Sequence, residues 1–268
     1  ATVKSYVKGI YDTVYNGDGK ADVYMFQEVD KNSHRTFGID ETEPLSEGGN
    51  STFALNFSVN FIPYPIPPIG RVQSGLLTVS DYGIESAQRI SLPTPFKWPT
   101  RVANLKRCLL ANYIPLKGTD KYLVMVDLHL EAYDSGEGKI AQTKVLNEFI
   151  QKEYDKGNYV IAGGDFNQEF PGALVAYPNT HQKLWTPGIL DASMIPEGWN
   201  FAYDTASPSC RLLNQPYDPD DTEDTQYYVI DGFIVSPNVK VQSVKTLSEG
   251  FANSDHNPVL LKVTLGTD

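Results

Sequence analysis

The sequence predicts an α/β sandwich, two β-sheets flanked by helices, on three observations. Strand-like apolar runs outnumber helical ones. The two kinds of run alternate in only two places, which argues against a fully parallel, doubly wound sheet. No repeat or linker-like stretch divides the chain, so residues 1–268 read as one domain.

The first helix is read from Val3, Tyr6, Val7, Ile10, Tyr11 and Val14, which recur at helical spacing. Asn16-Gly17-Asp18-Gly19 ends it. A short strand at 23–26 runs into Gln27-Glu28, and a loop rich in Gly, Ser and acids covers about 30–50. Strands are expected at 52–59, 74–79 and 84–90, with proline-rich loops at 61–69 and 92–99. A strand pair at 107–114 and 122–130 is joined by Lys117-Gly118-Thr119-Asp120. Ile140, Leu146, Phe149, Ile150 and Tyr154 mark an amphipathic helix over 139–154. A strand at 159–162 leads to Gly163-Gly164-Asp165-Phe166-Asn167; residues 168–226 look irregular, and strands at 227–235, 239–244 and 258–264 close the chain.

With 41% hydrophobic and 12% aromatic residues, the 268-residue chain has material for a sizeable core and does not read as disordered. No apolar run is long enough to cross a bilayer, so stable membrane insertion is not expected. No basic-then-apolar leader opens the chain, which begins Ala1-Thr2-Val3 without methionine. If a leader has been removed, the protein is exported or associated with the cell envelope. A net charge of -11 argues against a broad basic face for nucleic acid, although a nuclease using a few local cations and a metal stays open. A monomer is expected. Cys108 and Cys210 permit one disulfide at most, and Cys108, in an apolar run, reads as a buried thiol.

The chemistry-bearing residues are scattered. Glu28 closes an apolar strand, where it is either a wet strand end or a ligand. His129 sits inside the apolar string 123–130, and alternation puts Asp127 on its face as a candidate partner. Asp165 and Asn167 follow a Gly-Gly pair that allows close backbone approach to a ligand; the bland alternative is an Asx turn. Asp231 interrupts the apolar run 229–235, a costly place for a carboxylate without a partner. Ser254-Asp255-His256-Asn257-Pro258 reads alone as a polar turn. Most of these residues fall at strand ends, where α/β sheets build their sites, and together they supply hard oxygen ligands for Mg²⁺ or Mn²⁺ and two imidazoles. The acidic run Asp218, Asp220, Asp221, Glu223 and Asp224 lacks a calcium-loop pattern and reads as solvated.

In this order, Gln27-Glu28-Val29, His129-Leu130-Glu131-Ala132, Gly164-Asp165-Phe166-Asn167, Asp231-Gly232-Phe233-Ile234 and Ser254-Asp255-His256 resemble the motifs of the endonuclease/exonuclease/phosphatase superfamily over nearly the whole chain. The resemblance implies a four-layered sandwich of two mixed β-sheets flanked by helices, of deoxyribonuclease-I-like type. It also implies roles. Glu28 resembles the metal-binding carboxylate, with Asp255 at or near the same Mg²⁺ or Mn²⁺. Asp165 resembles the residue that orients or deprotonates water, and Asn167 the amide that holds the nucleophile and a phosphoryl oxygen. Asp231 and His256 resemble the carboxylate–imidazole pair, with His256 on the scissile phosphate. His129 resembles the second histidine of deoxyribonuclease-, sphingomyelinase- and inositol-phosphatase-like members. Asp127 and Arg107 are accessory candidates, Arg107 as an anion contact at a strand entrance.

Two departures stand out. The family's usual first strand, carrying an Asn near the metal, does not precede the first helix here. Asp127-Leu128-His129-Leu130 also replaces the common Asn-Thr-His-Leu, adding a carboxylate beside His129. The expectation is a metal-dependent hydrolase of phosphodiesters or phosphomonoesters, with nucleic acid, a lipid or inositol head group or a small diester as substrate. The competing expectation is a catalytically silent phosphate- or nucleic-acid-binding module of the same fold.

Overall fold

The computed structural model of the protein describes residues 2–62, 66, 68–95, 106–132, 136–180, 183–220, 222 and 224–266. The proline-rich segments expected as loops, and the acidic run with Asp221 and Glu223, lie partly outside these residues.

Helix α1 (Val3–Tyr11) opens with a capping box, in which the Thr2 hydroxyl accepts from Ser5 N and the Ser5 hydroxyl accepts from Thr2 N. It widens into a π-helical turn over Asp12–Asn16 before Gly17 breaks it. Strands β1 (Val23–Asp30), β2 (Asn50–Ile62) and β3 (Gly70–Ser80) form a three-stranded antiparallel sheet in the order β1-β3-β2; a one-turn helix α2 (Thr42–Leu45) lies in the β1–β2 loop. Val7 and Val14 pack with Tyr24, Val29, Leu77 and Val79, so α1 covers one face of this sheet.

The chain continues through β4 (Ser86–Ser91), β5 (Cys108–Pro115), β6 (Tyr122–His129), helix α3 (Glu137–Asp155) and β7 (Tyr159–Asp165). The short strands β8 (Gln168–Glu169) and β9 (Gly188–Ile189) pair with each other, as do β11 (Cys210–Arg211) and β12 (Tyr227–Tyr228). The remaining strands are β10 (Asn200–Ala202), β13 (Asp231–Val235), and the hairpin of β14 (Val239–Thr246) and β15 (Val259–Leu265). The larger sheet has the order β10-β13-β7-β6-β5-β4. Within this sheet β6 and β7 are the parallel pair, α3 forming the crossover that such a pair requires, while its other neighbours are antiparallel.

Alternation along β6 sends Val124, Val126 and Leu128 toward Leu146 and Ile150 of α3. Each of these side chains is fully buried, contributing roughly 1.5–3 kcal/mol. Met25 of β1 packs beside Met125 and Ile161, and Ala54 and Leu76 pack on Cys108 and Leu110, so the two sheets meet face to face. The layers therefore run α1, three-stranded sheet, six-stranded sheet, α3.

Several expectations are corrected. Only one of the two main sheets is mixed. The stretch 168–226 is not wholly irregular: β10 within it forms an edge of the larger sheet. The single strand expected at 227–235 is two, in different sheets, because Val229 and Ile230 turn their carbonyls to Phe170 N and Phe166 N. Ile140, assigned to the apolar face of α3, is 69% exposed; Gln142 is buried in that region, bonded to Glu131 N and Pro93 O. Both cysteines are buried free thiols.

Candidate active site

Register sets the first half of the site. In the β6–β7 pair His129 lies opposite Asp165, and in the β7–β13 pair Asp165 lies opposite Asp231. Three central strands thus present one residue each, in a row, at the same edge of the sheet. His129 Nε2 is 3.3 Å from Asp165 Oδ2. Asp231 Oδ2 is 2.9 Å from His256 Nδ1. Donor atoms of Asp165, Asp231 and His256 all lie within 4.8 Å of one another.

The loop carrying His256 is tied to β11. Asn257 N donates to Ser209 O, Arg211 N donates to Asp255 O, and His256 N donates to the Ser254 hydroxyl. The hydroxyl of Ser209 donates to Asp231 Oδ2 at 2.7 Å while accepting from Ile230 N and Asp231 N. Ser209 thus holds the carboxylate that holds His256. It lies in the stretch without periodicity, where no local pattern singles it out.

Asp165 Oδ1 accepts from Asn167 N at 2.8 Å, and Asn167 Nδ2 donates to Leu130 O at 2.8 Å. Asn167 has φ +51, in the left-handed region that asparagine tolerates. The Asx turn and the site residue are here one feature. Gly164 has φ +138, and a Cβ there would stand 2.0 Å from Leu128 O and 3.0 Å from Gln27 Nε2. This glycine serves the close approach of β6 and β1 rather than of a ligand.

The two imidazoles differ. Burial, reinforced by Arg107 and His256, holds His129 well below its ordinary value, so it is neutral. For His256 burial works against the charge, but the Asp231 carboxylate and Cys210 together, through charge and hydrogen bonding, hold the imidazole well above its usual range. Burial and then the nearby Asp231 push Asp165 up to about 7. His129 Nδ1, also buried, has no hydrogen-bond partner among the described residues. A neutral imidazole, an imidazolium and a carboxyl poised near neutrality therefore converge, as acid–base chemistry requires.

Glu28 and Asp255 stand apart from this group. Between Phe26 and Val29 the β1–β3 register shifts, and this bulge carries Gln27 and Glu28. Glu28 is exposed, with φ +56, and its charge acts on Arg107 and Arg35. Asp255 is half-buried. Among the described residues, the compact group of possible metal donors is Asp165, Asp231 and His256; Glu28 and Asp255 are not members of it. Its two carboxylates fit a hard divalent cation, which would relieve the crowding that raises Asp165.

Asp127 is not the partner of His129. It is fully buried, accepts from Gln27 Nε2 at 2.7 Å and from the Thr78 hydroxyl at 3.4 Å, and burial raises it well above the carboxylate range. It joins the two sheets beneath the Glu28 bulge. Arg107 is not an exposed strand entrance: it is 2% exposed, donates to His129 O at 3.2 Å, and lies 3.5 Å from Glu131.

The model of the Endonuclease/Exonuclease/phosphatase family matches residues 5–256. A structure of an endonuclease/exonuclease/phosphatase from Beutenbergia cavernae is 18% identical, with a TM-score of 0.64 over 98% of this chain and 66% of that one. A Bacteroides thetaiotaomicron mannosyl-6-phosphatase is 18% identical, with a TM-score of 0.60 over 98% of this chain and 92% of its own. The human nocturnin catalytic domain, with bound sulfate anion, is 17% identical, with a TM-score of 0.60 over 99% of this chain and 88% of its own. At these identities the likenesses establish the fold: mixed α/β, with several sheets and few helices. No curated protein sequence matches the chain significantly.

The chain thus belongs to the endonuclease/exonuclease/phosphatase family, whose members are generally metal-dependent phosphoesterases. Among the described residues, no helix is long and apolar enough to cross a membrane.

Proposed function

We propose that this chain is a divalent-metal-dependent phosphoesterase that hydrolyses a phosphodiester or phosphomonoester by in-line attack of an activated water. The observation that carries the reading is the row of Asp165, Asp231 and His256, in which one carboxyl stands near neutral pKa beside an imidazolium. We likewise read α1, the two sheets and α3 as the layers of a deoxyribonuclease-I-like sandwich.

Asp165 orients water and takes its proton. Asn167, its main-chain N–H fixed on Asp165, offers its side-chain carbonyl to the water and its amide to a phosphoryl oxygen. His256, kept charged by Asp231, faces the developing negative charge on the phosphate. His129, neutral, offers a hydrogen bond from the other side. Mg²⁺ or Mn²⁺ would be held by Glu28 and Asp255, as the family resemblance implies, or by the carboxylates of the compact group, Asp165 and Asp231. When bound, the ion supplies Lewis-acid stabilisation of the phosphoryl oxygens.

The test is hydrolysis of bis-p-nitrophenyl phosphate, plasmid DNA, RNA, and inositol and lipid phosphates, with Mg²⁺ or Mn²⁺ against EDTA. At least one is cleaved with metal and none with EDTA; no cleavage of any with either metal overturns the reading. Asp165→Asn lowers kcat by about 10³-fold. Asp165 also ties activity to stability, because a carboxyl raised from 3.8 to about 7 keeps a proton in the folded state that the unfolded chain has lost. Metal-free stability therefore falls as pH rises through that interval and stays lowered above it, by on the order of a few kcal/mol. Asp165→Asn removes this slope, and metal-free Tm at pH 8 rises as activity is lost.

A further inference from the structure

At Glu28 the backbone takes a conformation that a residue with a side chain rarely adopts, with φ +56. Such strain persists only where the surroundings hold it, and an exposed glutamate gains no packing from it. The register shows where it arises. Phe26 pairs with Leu77 and Val29 with Gly75, so Gln27 and Glu28 together face the single residue Leu76. The extra residue sends the two side chains different ways: Gln27, half-buried, toward the other sheet, and Glu28 out to solvent.

The bulge is held on either side of Glu28. After it, Val29 is buried, and the Asp30 carboxylate accepts from Arg35 Nε at 2.7 Å and Nη2 at 2.8 Å while Asp30 N donates to Glu41 Oε2. Before it, Gln27 Nε2 donates to Asp127 Oδ1 at 2.7 Å and to Met25 O at 3.2 Å. The larger sheet places Asp127 for this. It stands opposite Leu110 of β5 and Gly163 of β7, and a Cβ at Gly163 would come within 3.0 Å of Met25 Cε, so β1 lies close on the sheet here. The Thr78 hydroxyl, on the residue paired with Met25, donates to the other oxygen of Asp127. Among the described residues Asp127 forms no ion pair, and a fully buried carboxyl without one is costly. Apolar packing already joins the two sheets nearby, at Met25, Met125 and Ile161, so sheet docking alone does not account for Asp127.

We propose that Asp127 is a positioning residue for the metal side of the site: through Gln27 it fixes the bulge from which Glu28 reaches a divalent cation. The clamp sets the backbone of the bulge and leaves the Glu28 carboxylate free on its own side-chain torsions. Groups that hold a ligand from behind change its affinity for an ion by about 10–100-fold without touching the ion. The proposal rests on the phosphoesterase reading and, within it, on Glu28 as a ligand.

Binding of Mn²⁺ to the substrate-free protein is followed by the electron paramagnetic resonance signal of the free ion, so that turnover does not enter. Asp127→Leu, shown folded by circular dichroism and melting, binds Mn²⁺ about tenfold or more weakly than wild type. Asp127→Asn, whose side-chain carbonyl still accepts from Gln27, stays within about threefold of wild type. Gln27→Leu cuts the clamp from its other end, matches Asp127→Leu, and serves in its place if that variant does not fold. Because Asp127 acts through Glu28, Asp127→Leu/Glu28→Gln binds no more weakly than Glu28→Gln alone. The proposal is overturned if the clamp variants melt lower yet bind Mn²⁺ like wild type, or if Asp127→Asn is as weak as Asp127→Leu. It is equally overturned if the two losses multiply in the double variant, if Glu28→Gln leaves Mn²⁺ binding unchanged, or if wild type binds no Mn²⁺. Hydrolysis of bis-p-nitrophenyl phosphate by wild type is read separately. Clamp-dependent Mn²⁺ binding without hydrolysis of any ester fails the phosphoesterase reading alone, and hydrolysis with Mn²⁺ binding unchanged in the clamp variants fails the positioning role alone.

Discussion

The two sides of the candidate site are built differently. On one side, His129, Asp165 and Asp231 stand on three neighbouring strands in fixed register, with Asn167 and Ser209 bonded to their carboxylates. On the other, Glu28 rides a bulge with φ +56, exposed, and Asp255 sits in a loop. A sheet ladder fixes geometry through many backbone hydrogen bonds, whereas a bulge and a loop leave side chains free to adjust. The rigid side suits groups that must hold a proton at a set position. The adaptable side suits ligands that close on an ion.

If this contrast holds, damage to the rigid side reduces turnover at every metal concentration. Asp231→Asn gives the largest effect. It removes the charge that keeps His256 protonated and leaves the imidazole paired only with an amide. We expect kcat to fall by about 10³–10⁴-fold at saturating metal. The His256 titration followed by NMR moves to lower pH. A loss below tenfold, with His256 titrating as before, removes the pair from the mechanism.

Damage to the adaptable side is expected to be repairable. Glu28→Gln keeps the size of the side chain and removes its charge. The Mg²⁺ concentration for half-maximal activity rises by about 10–100-fold, and kcat recovers most of its value at high Mn²⁺. An unchanged metal requirement places the ion elsewhere, with the compact group of Asp165, Asp231 and His256 as the alternative seat.

The same contrast governs what could be read from sequence. His129, Asp165 and Asp231 were legible because each closes or interrupts an apolar run, and such runs become strands whose ends meet at one edge. Alternation correctly put Asp127 and His129 on one face, but it could not say what stood across from them. Asp127 faces Gln27 and Thr78 of the other sheet, and His129 faces Asp165, since partners between sheets and strands depend on register. Arg107 was misjudged for a related reason: burial of a guanidinium depends on carbonyls and carboxylates brought in from distant strands, here His129 O and Glu131. The bulge at Glu28 leaves no trace in composition.

Ser209 gives the smallest effect and the finest test of the rigid side. Its hydroxyl serves three groups, donating to Asp231 Oδ2 and accepting from two backbone N–H groups. Ser209→Ala removes the acceptor of those buried N–H groups and one of the two partners of Asp231 Oδ2, costing about 1–3 kcal/mol of stability. Asp231 and His256 keep their ion pair but lose the brace that sets its angle. We expect kcat to drop about tenfold with KM little changed, since a misplaced imidazolium weakens contact with the developing charge more than with bound substrate. Ser209→Thr keeps the hydroxyl and restores most of the turnover, which a purely structural role would not predict if Thr and Ala melted at the same temperature. An Ala variant that loses stability but keeps kcat makes Ser209 a folding residue only, and the rigidity of this side then rests on strand register alone.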